Sequence, residues 1–200
     1  MKRFLCAAIC LFGVKVASAA IITYSAILSG PNEFPPNTSP GKGVATVVID
    51  DLASMMSLQV TFADLVGATT AAHIHCCTAL PLAGNAGVAT TTPSFPGFPA
   101  GVTSGAYNRI FDLTLPATYN AAFITSHGGV AGAQAALLAG MAAGRGYFNL
   151  HSSAFPGGEI RGFLTPAQIP EPDGLALFGL AASALVMSQR RRSKKSRPLL

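Results

Sequence analysis

From Met55 to Phe62 the chain alternates without a break, with Met56, Leu58, Val60 and Phe62 on one side and Ser57, Gln59 and Thr61 on the other. A repeat of two cannot place apolar groups along one face of a helix, but it is what a strand with one buried and one wet face requires. Two β-branched runs precede it, Ile21 to Leu28 and Gly43 to Ile49, the second turned at Asp50-Asp51. Pro31, Pro35 and Pro36 cannot donate to a sheet ladder, so they end the first run. Three such runs joined by polar turns predict an antiparallel meander with one solvated face.

The same logic extends along the chain. Ala71 to His75 and Arg109 to Leu115 read as strands, and Tyr147 to His151 with Glu159 to Leu164 reads as a hairpin around the turn residues 152–158. Thr78 to Gly105 carries Pro81, Pro93, Pro96 and Pro99 and has no period, so it reads as a long loop, pinned to the body by Phe95 and Phe98. Residues 130–143 are Ala-rich, with Leu137, Leu138 and Met141 spaced for one helical face between Gly128-Gly129 and Gly144. The 21 glycines and 14 prolines, against 10% charged residues, agree with short strands and turns. The expected fold is all-β, an antiparallel β-sandwich with one Ala-rich helix, plus an N-terminal signal segment and a C-terminal transmembrane helix.

The formal charge of +5 describes the ends of the chain more than its body. Between residues 20 and 169 the cations are Lys42, Arg109, Arg145 and Arg161, outnumbered by Glu33, Asp50, Asp51, Asp64, Asp112 and Glu159. A body with no basic stripe excludes nucleic acid as a partner. Met1-Lys2-Arg3, the apolar run Phe4 to Val14 and the small residues Ala17-Ser18-Ala19 have the order of a secretory signal peptide over residues 1–20. At the other end, Ile169-Pro170-Glu171-Pro172 reads as a stiff linker, Gly174 to Met187 as an apolar membrane segment, and Arg190-Arg191-Arg192 as its cytoplasmic flank. Residues 21–165 are then one domain, and residues 166–200 a sorting and anchoring segment.

Chemistry concentrates in His73-Ile74-His75-Cys76-Cys77. On a strand, Ala72 and Ile74 face a core while both imidazoles face the other side. A hairpin register that sets residue 151 opposite 159 places His151 beside Glu159 and Asn149 beside Arg161. Two readings follow. His73, His75, Asn149, His151, Glu159 and Arg161 can form a hydrogen-bonded cluster that locks the last hairpin to the histidine strand. Alternatively, His73, His75 and His151 can bind copper or zinc, with Glu33 or Glu159 as an oxygen ligand. Cys6 and Cys10 fall in the signal segment, which leaves Cys76 and Cys77 to form a vicinal disulfide, to serve as thiol ligands beside His75, or to pair with other chains. The chain carries no nucleophile elbow and no phosphate loop.

Pro170-Glu171-Pro172, the apolar stretch and the arginines resemble the PEP-CTERM sorting signal of Gram-negative bacteria. That resemblance implies an exosortase-type processing enzyme as a partner and delivery to the cell surface or extracellular matrix. Residues 22–164 are similar to the CHRD domain at Leu28-Ser29-Gly30-Pro31-Asn32-Glu33-Phe34-Pro35-Pro36, Ala72-His73-Ile74-His75, Tyr147-Phe148-Asn149-Leu150-His151 and Gly158-Glu159-Ile160-Arg161-Gly162. This similarity implies a β-sandwich. In animals the domain belongs to antagonists of bone morphogenetic proteins, a role that does not carry over to a bacterial chain. The two resemblances imply an exported, membrane-anchored or exosortase-processed binding or matrix module, with matrix polysaccharide among its partners. The alternative is a metal-binding surface oxidoreductase using the His-x-His strand.

Overall fold

The computed structural model describes residues 21–167. The signal peptide, Pro170-Glu171-Pro172, the apolar tail and Arg190-Arg191-Arg192 lie outside the described residues. Among the described residues no helix is long and apolar enough to cross a membrane.

The strands are β1 (Ile21–Ser29), β2 (Lys42–Asp50), β3 (Met55–Ala63), β4 (Thr69–His75), β5 (Gly105–Asp112), β6 (Tyr147–Ser152), β7 (Ile160–Phe163) and β8 (Thr165–Pro166). Helices α1 (Ala121–Ser126) and α2 (Val130–Ala142) lie between β5 and β6. The expected sandwich takes the form of one antiparallel, eight-stranded sheet in the order β4-β6-β7-β1-β2-β3-β5, with β8 beside β1. The sheet is continuous because β1 pairs with β2 along its whole length and with β7 at Ser29↔Arg161. It curls around a single core.

The alternation read from the sequence sets the core. Met56, Leu58, Val60 and Phe62 of β3 are buried with Ala45, Val47 and Ile49 of β2 and Ala72 and Ile74 of β4. Phe95 and Phe98, expected as pins, stack among Phe62, Tyr107, Phe111 and Phe148. Their loop runs along the outer edge of β4: Ala89 N–H donates to Ile74 O (2.9 Å), Phe95 N–H to Ala72 O (3.1 Å) and Gly101 N–H to Thr69 O (2.9 Å). The long loop therefore closes a sheet edge that would otherwise stay open.

Two boundaries differ from expectation. The fifth strand spans Gly105–Asp112 rather than residues 109–115, since the β3 ladder pairs Phe62 with Gly105 and Met55 with Asp112. Asp112 Oδ1 then accepts from Thr114 N–H at 2.8 Å and turns the chain. Helix α1 escaped the sequence reading because six residues are too few to show a period. Its signal was Asn120, whose Oδ1 accepts from Ala122 N–H at 2.9 Å as an N-cap. In α2 the buried residues are Ala133, Leu137, Gly140 and Met141.

Candidate metal centre

Strands β4, β6 and β7 lie side by side, with His75 opposite Tyr147, His73 opposite Asn149, and Asn149 opposite Arg161. The register expected between residues 149 and 161 is the one observed. On the core side lie Ile74, Phe148, Leu150 and Ile160, and on the outer side Tyr147, Asn149, His151, His73, His75 and Arg161. The expectation of a wet outer face fails at this spot, where His73 is 6% exposed, His75 8% and Arg161 3%.

Three loops roof the outer face. His75 Nδ1 bonds Ala86 O at 2.9 Å, and the Tyr147 hydroxyl accepts from Ala86 N–H at 3.2 Å. His151 Nδ1 bonds Pro156 O at 2.9 Å. Arg161 donates through Nε to Asn32 O and through Nη1 to Asn85 Oδ1 at 2.7 Å, and Asn85 Nδ2 donates to Phe34 O at 2.9 Å. Arg161 thus ties the loop after β1 to the loop after β4. Its guanidinium carbon lies 4.7 Å from the centre of the Tyr147 ring, which stacks on His75 at 4.8 Å.

Beneath this roof the three imidazoles converge. Ring centres are 4.9 Å apart for His73 and His151, 5.3 Å for His73 and His75, and 5.9 Å for His75 and His151. One nitrogen from each lies within 4.8 Å of the others. His75 and His151 each give Nδ1–H to a backbone carbonyl, so Nε2 carries the lone pair. Among the described residues the buried side-chain atoms with no hydrogen-bond partner are His73 Nδ1, His75 Nε2, His151 Nε2, Glu33 Oε1 and Asn149 Oδ1. All five belong to this one face.

The electrostatics keep the imidazoles neutral. Burial lowers His73 to about 3, with His151 and His75 adding to the effect. Burial lowers His75 to about 4 against the opposing bond to Ala86, with His151 and Arg161 contributing. His151 is also lowered by burial, opposed by its bond to Pro156. Burial pushes Glu33 up to about 7, although Arg161 and the Phe34 N–H pull it down. Glu33 Oε2 lies 3.9 Å from Arg161 Nε.

Glu159 is not part of the cluster. Its carboxylate accepts from Ser39 Oγ (2.6 Å), Val66 N–H (2.5 Å) and Gly67 N–H (3.2 Å). It is fully buried. Burial alone would raise its pKa, but bonds from Ser152, Ser39, Val66 and Gly67 hold it below the usual carboxylate range. The expected contact with His151 fails because alternation governs residues inside a ladder. Glu159 sits just before β7, behind Gly158 at φ 133°, where the turn sets the direction. Glu33 is the carboxylate that the fold delivers to the histidine face.

Cys76 and Cys77 form a vicinal disulfide. Both sulfurs lie against α2 at Ala136 O and would be 2.3 Å from a Cβ at residue 140, so only glycine fits there. They do not join the histidines. His127 caps α1 and bonds Phe123 O, away from the cluster. Tyr147 and Ala86 were not singled out in the sequence. Strand parity with Asn149 and His151 marks the first, whereas nothing local marks the second.

The profile of the CHRD domain matches residues 24–164. The chain belongs to the CHRD family. No curated protein and no solved structure matches it. The matched span holds every member of the cluster, from Glu33 through the CHRD domain's β4 to Arg161. Membership in this family points to an extracellular module.

Proposed function

We propose that the CHRD domain of this chain binds one transition-metal ion, zinc or copper, through His73 Nδ1, His75 Nε2 and His151 Nε2. The supporting observations are that one ring nitrogen from each of the three histidines lies within 4.8 Å of the others, that His73 Nδ1, His75 Nε2 and His151 Nε2 have no hydrogen-bond partner, and that carbonyl bonds at Nδ1 of His75 and His151 leave Nε2 free. Bonds of that kind orient imidazole ligands in metal sites. Five buried polar atoms without partners cost about 1–3 kcal/mol each. Their sum rivals the whole stability of a domain, about 5–15 kcal/mol. A cation held by the three imidazoles would satisfy the three nitrogens among them.

The test is metal content by plasma mass spectrometry after chelation and reloading with zinc or copper. One equivalent is expected for the wild type, and none for His73→Ala, His75→Ala or His151→Ala. A wild type that retains no stoichiometric metal sinks the proposal. Copper would bring one-electron chemistry, so redox turnover by the copper-loaded but not the zinc-loaded protein would identify a surface oxidoreductase.

We further read the chain as an exported module of the cell surface or matrix, with residues 1–20 as a signal peptide and residues 166–200 as an exosortase substrate and membrane anchor. Supporting this reading are Met1-Lys2-Arg3 before an apolar run, and Pro170-Glu171-Pro172 before an apolar run and Arg190-Arg191-Arg192. Matrix polysaccharide is the partner class that fits such a destination. Deleting Pro170-Glu171-Pro172 should change where the protein accumulates, and an unchanged distribution rejects the address.

A further inference from the structure

Resting on the three-histidine reading, we infer that the metal keeps one position for a neutral ligand bearing O–H hydrogens, water at rest and an alcohol or sugar hydroxyl on exchange, with Glu33 Oε1 and Asn149 Oδ1 accepting its protons.

The first support is a count of ligands. Among the described residues, His73, His75 and His151 form the group whose donor atoms come within metal-binding range, and no further Cys, Asp or Glu joins it. Zinc and its analogues take four ligands in structural sites, whereas three protein ligands and one small molecule mark an exchangeable centre. The second support is the kind of atom left over. Besides the three nitrogens, the unpaired buried atoms on this face are a carboxylate oxygen and an amide oxygen, and both can only accept while Glu33 is ionised. A metal ion satisfies the nitrogens but leaves these two oxygens without a donor. A ligand with hydrogens of its own satisfies both, and an anion with nothing to donate meets two further acceptors.

The third support is position. A Cβ at Gly158 would lie 2.7 Å from Asn149 Nδ2 and 2.8 Å from each Glu33 oxygen, so the amide and the carboxylate meet at one spot that the glycine leaves clear. Asn149 sits opposite His73 in the ladder, next to His151 in its own strand. A surface hollow of about 520 Å³, lined by Glu33, Phe34, Asn85, Phe155, Pro156 and Gly158, reaches the same spot from solvent. The Glu33–Arg161 pair and the Arg161–Asn85 bond hold this wall in place. Water can therefore reach the Glu33 and Gly158 wall of the site, and so can a hydroxyl group on a larger molecule.

The experiment uses the full chain loaded with cobalt(II), whose visible spectrum reports the fourth ligand, titrated with azide as an anionic probe that has no proton to give. Wild type is expected to bind azide weakly. Glu33→Gln replaces an acceptor with a group that also donates, and azide should bind at least tenfold tighter while cobalt affinity changes less than about threefold. Asn149→Leu removes the second acceptor and should tighten azide severalfold, which keeps the test open should Glu33→Gln fold poorly. Azide affinity equal in all three proteins, tight azide binding by the wild type, or a spectrum insensitive to azide throughout each overturns the inference while leaving the metal site standing. A chain that takes up no cobalt overturns the three-histidine reading, and this inference with it.

Discussion

Mild acid should strip stability from the chelator-treated domain because of the histidine face. In the unfolded chain His73 and His75 titrate at their ordinary value of 6.5, and in the fold at about 3 and about 4. Between those values the unfolded state binds a proton at each ring that the native state refuses. The stability that depends on neutral rings is therefore complete above pH 6.5 and is lost as pH falls toward the folded values. Glu33 has the opposite sign. Raised from 4.5 to about 7, it holds its proton longer in the fold, and its contribution is complete below pH 4.5 and lost as pH rises through 7. Two histidines against one glutamate leave a net excess of one proton on the unfolded chain between pH 6.5 and 4.5. His151, lowered in the same direction, adds to the excess. Each such proton is worth about 1.4 kcal/mol per pH unit. Two pH units then remove about 3 kcal/mol, and more with His151, from a stability of about 5–15 kcal/mol. Urea unfolding followed by circular dichroism at several pH values reads this directly. His73→Phe deletes one titrating ring and should reduce the loss by about 3 kcal/mol. A wild-type stability that stays flat over the window, or a His73→Phe curve parallel to the wild type, refutes the reasoning.

Zinc or copper at a hundredfold excess over its dissociation constant should add about 2.7 kcal/mol, raising Tm by about 5–10 °C, with no rise in His75→Ala. Thermal scans with and without metal check this. Glu159→Ala strands Ser39 Oγ and the N–H groups of Val66 and Gly67. It should cost about 3 to 6 kcal/mol in urea unfolding, and a cost under about 1 kcal/mol would mean that these donors find other partners. Gly140→Ala pushes a methyl to 2.3 Å from both sulfurs. The expected loss is about 1–3 kcal/mol, and it should shrink in a Cys76→Ala, Cys77→Ala background if the crowding arises from that bond.

Much of the site was legible as parity. His73 and His75 share a face because they are two apart on a strand, and Tyr147, Asn149, His151 and Arg161 share one for the same reason. The hairpin register that sets Asn149 beside Arg161 is also a local property of the two strands and their turn. Glu159 shows where the reasoning ends: its place was read from alternation, but it lies one residue outside β7 and answers to Ser39, 120 residues away in the chain. Choosing Glu33 over Glu159 as the carboxylate near the histidines needed the packing of the loop after β1.

By itself the amino-acid sequence determined which residues alternate, where turns interrupt the ladders, and that the imidazoles and their strand partners leave the core on the same side. Those properties depend on neighbours two residues apart, and a strand enforces them wherever it lies. Tertiary structure alone decided that the outer face is dry there, that one nitrogen from each ring converges within 4.8 Å, and that the sulfurs bond one another against α2. Each of these depends on segments outside the strands that carry the residues: Ala86 and Pro156 in neighbouring loops aim the rings, while from far along the chain Arg161 ties down the roof and α2 covers the cysteines. Such contacts arise only when the sheet has curled and the loops have closed over it, and no periodicity in the sequence records which loop will cover which face.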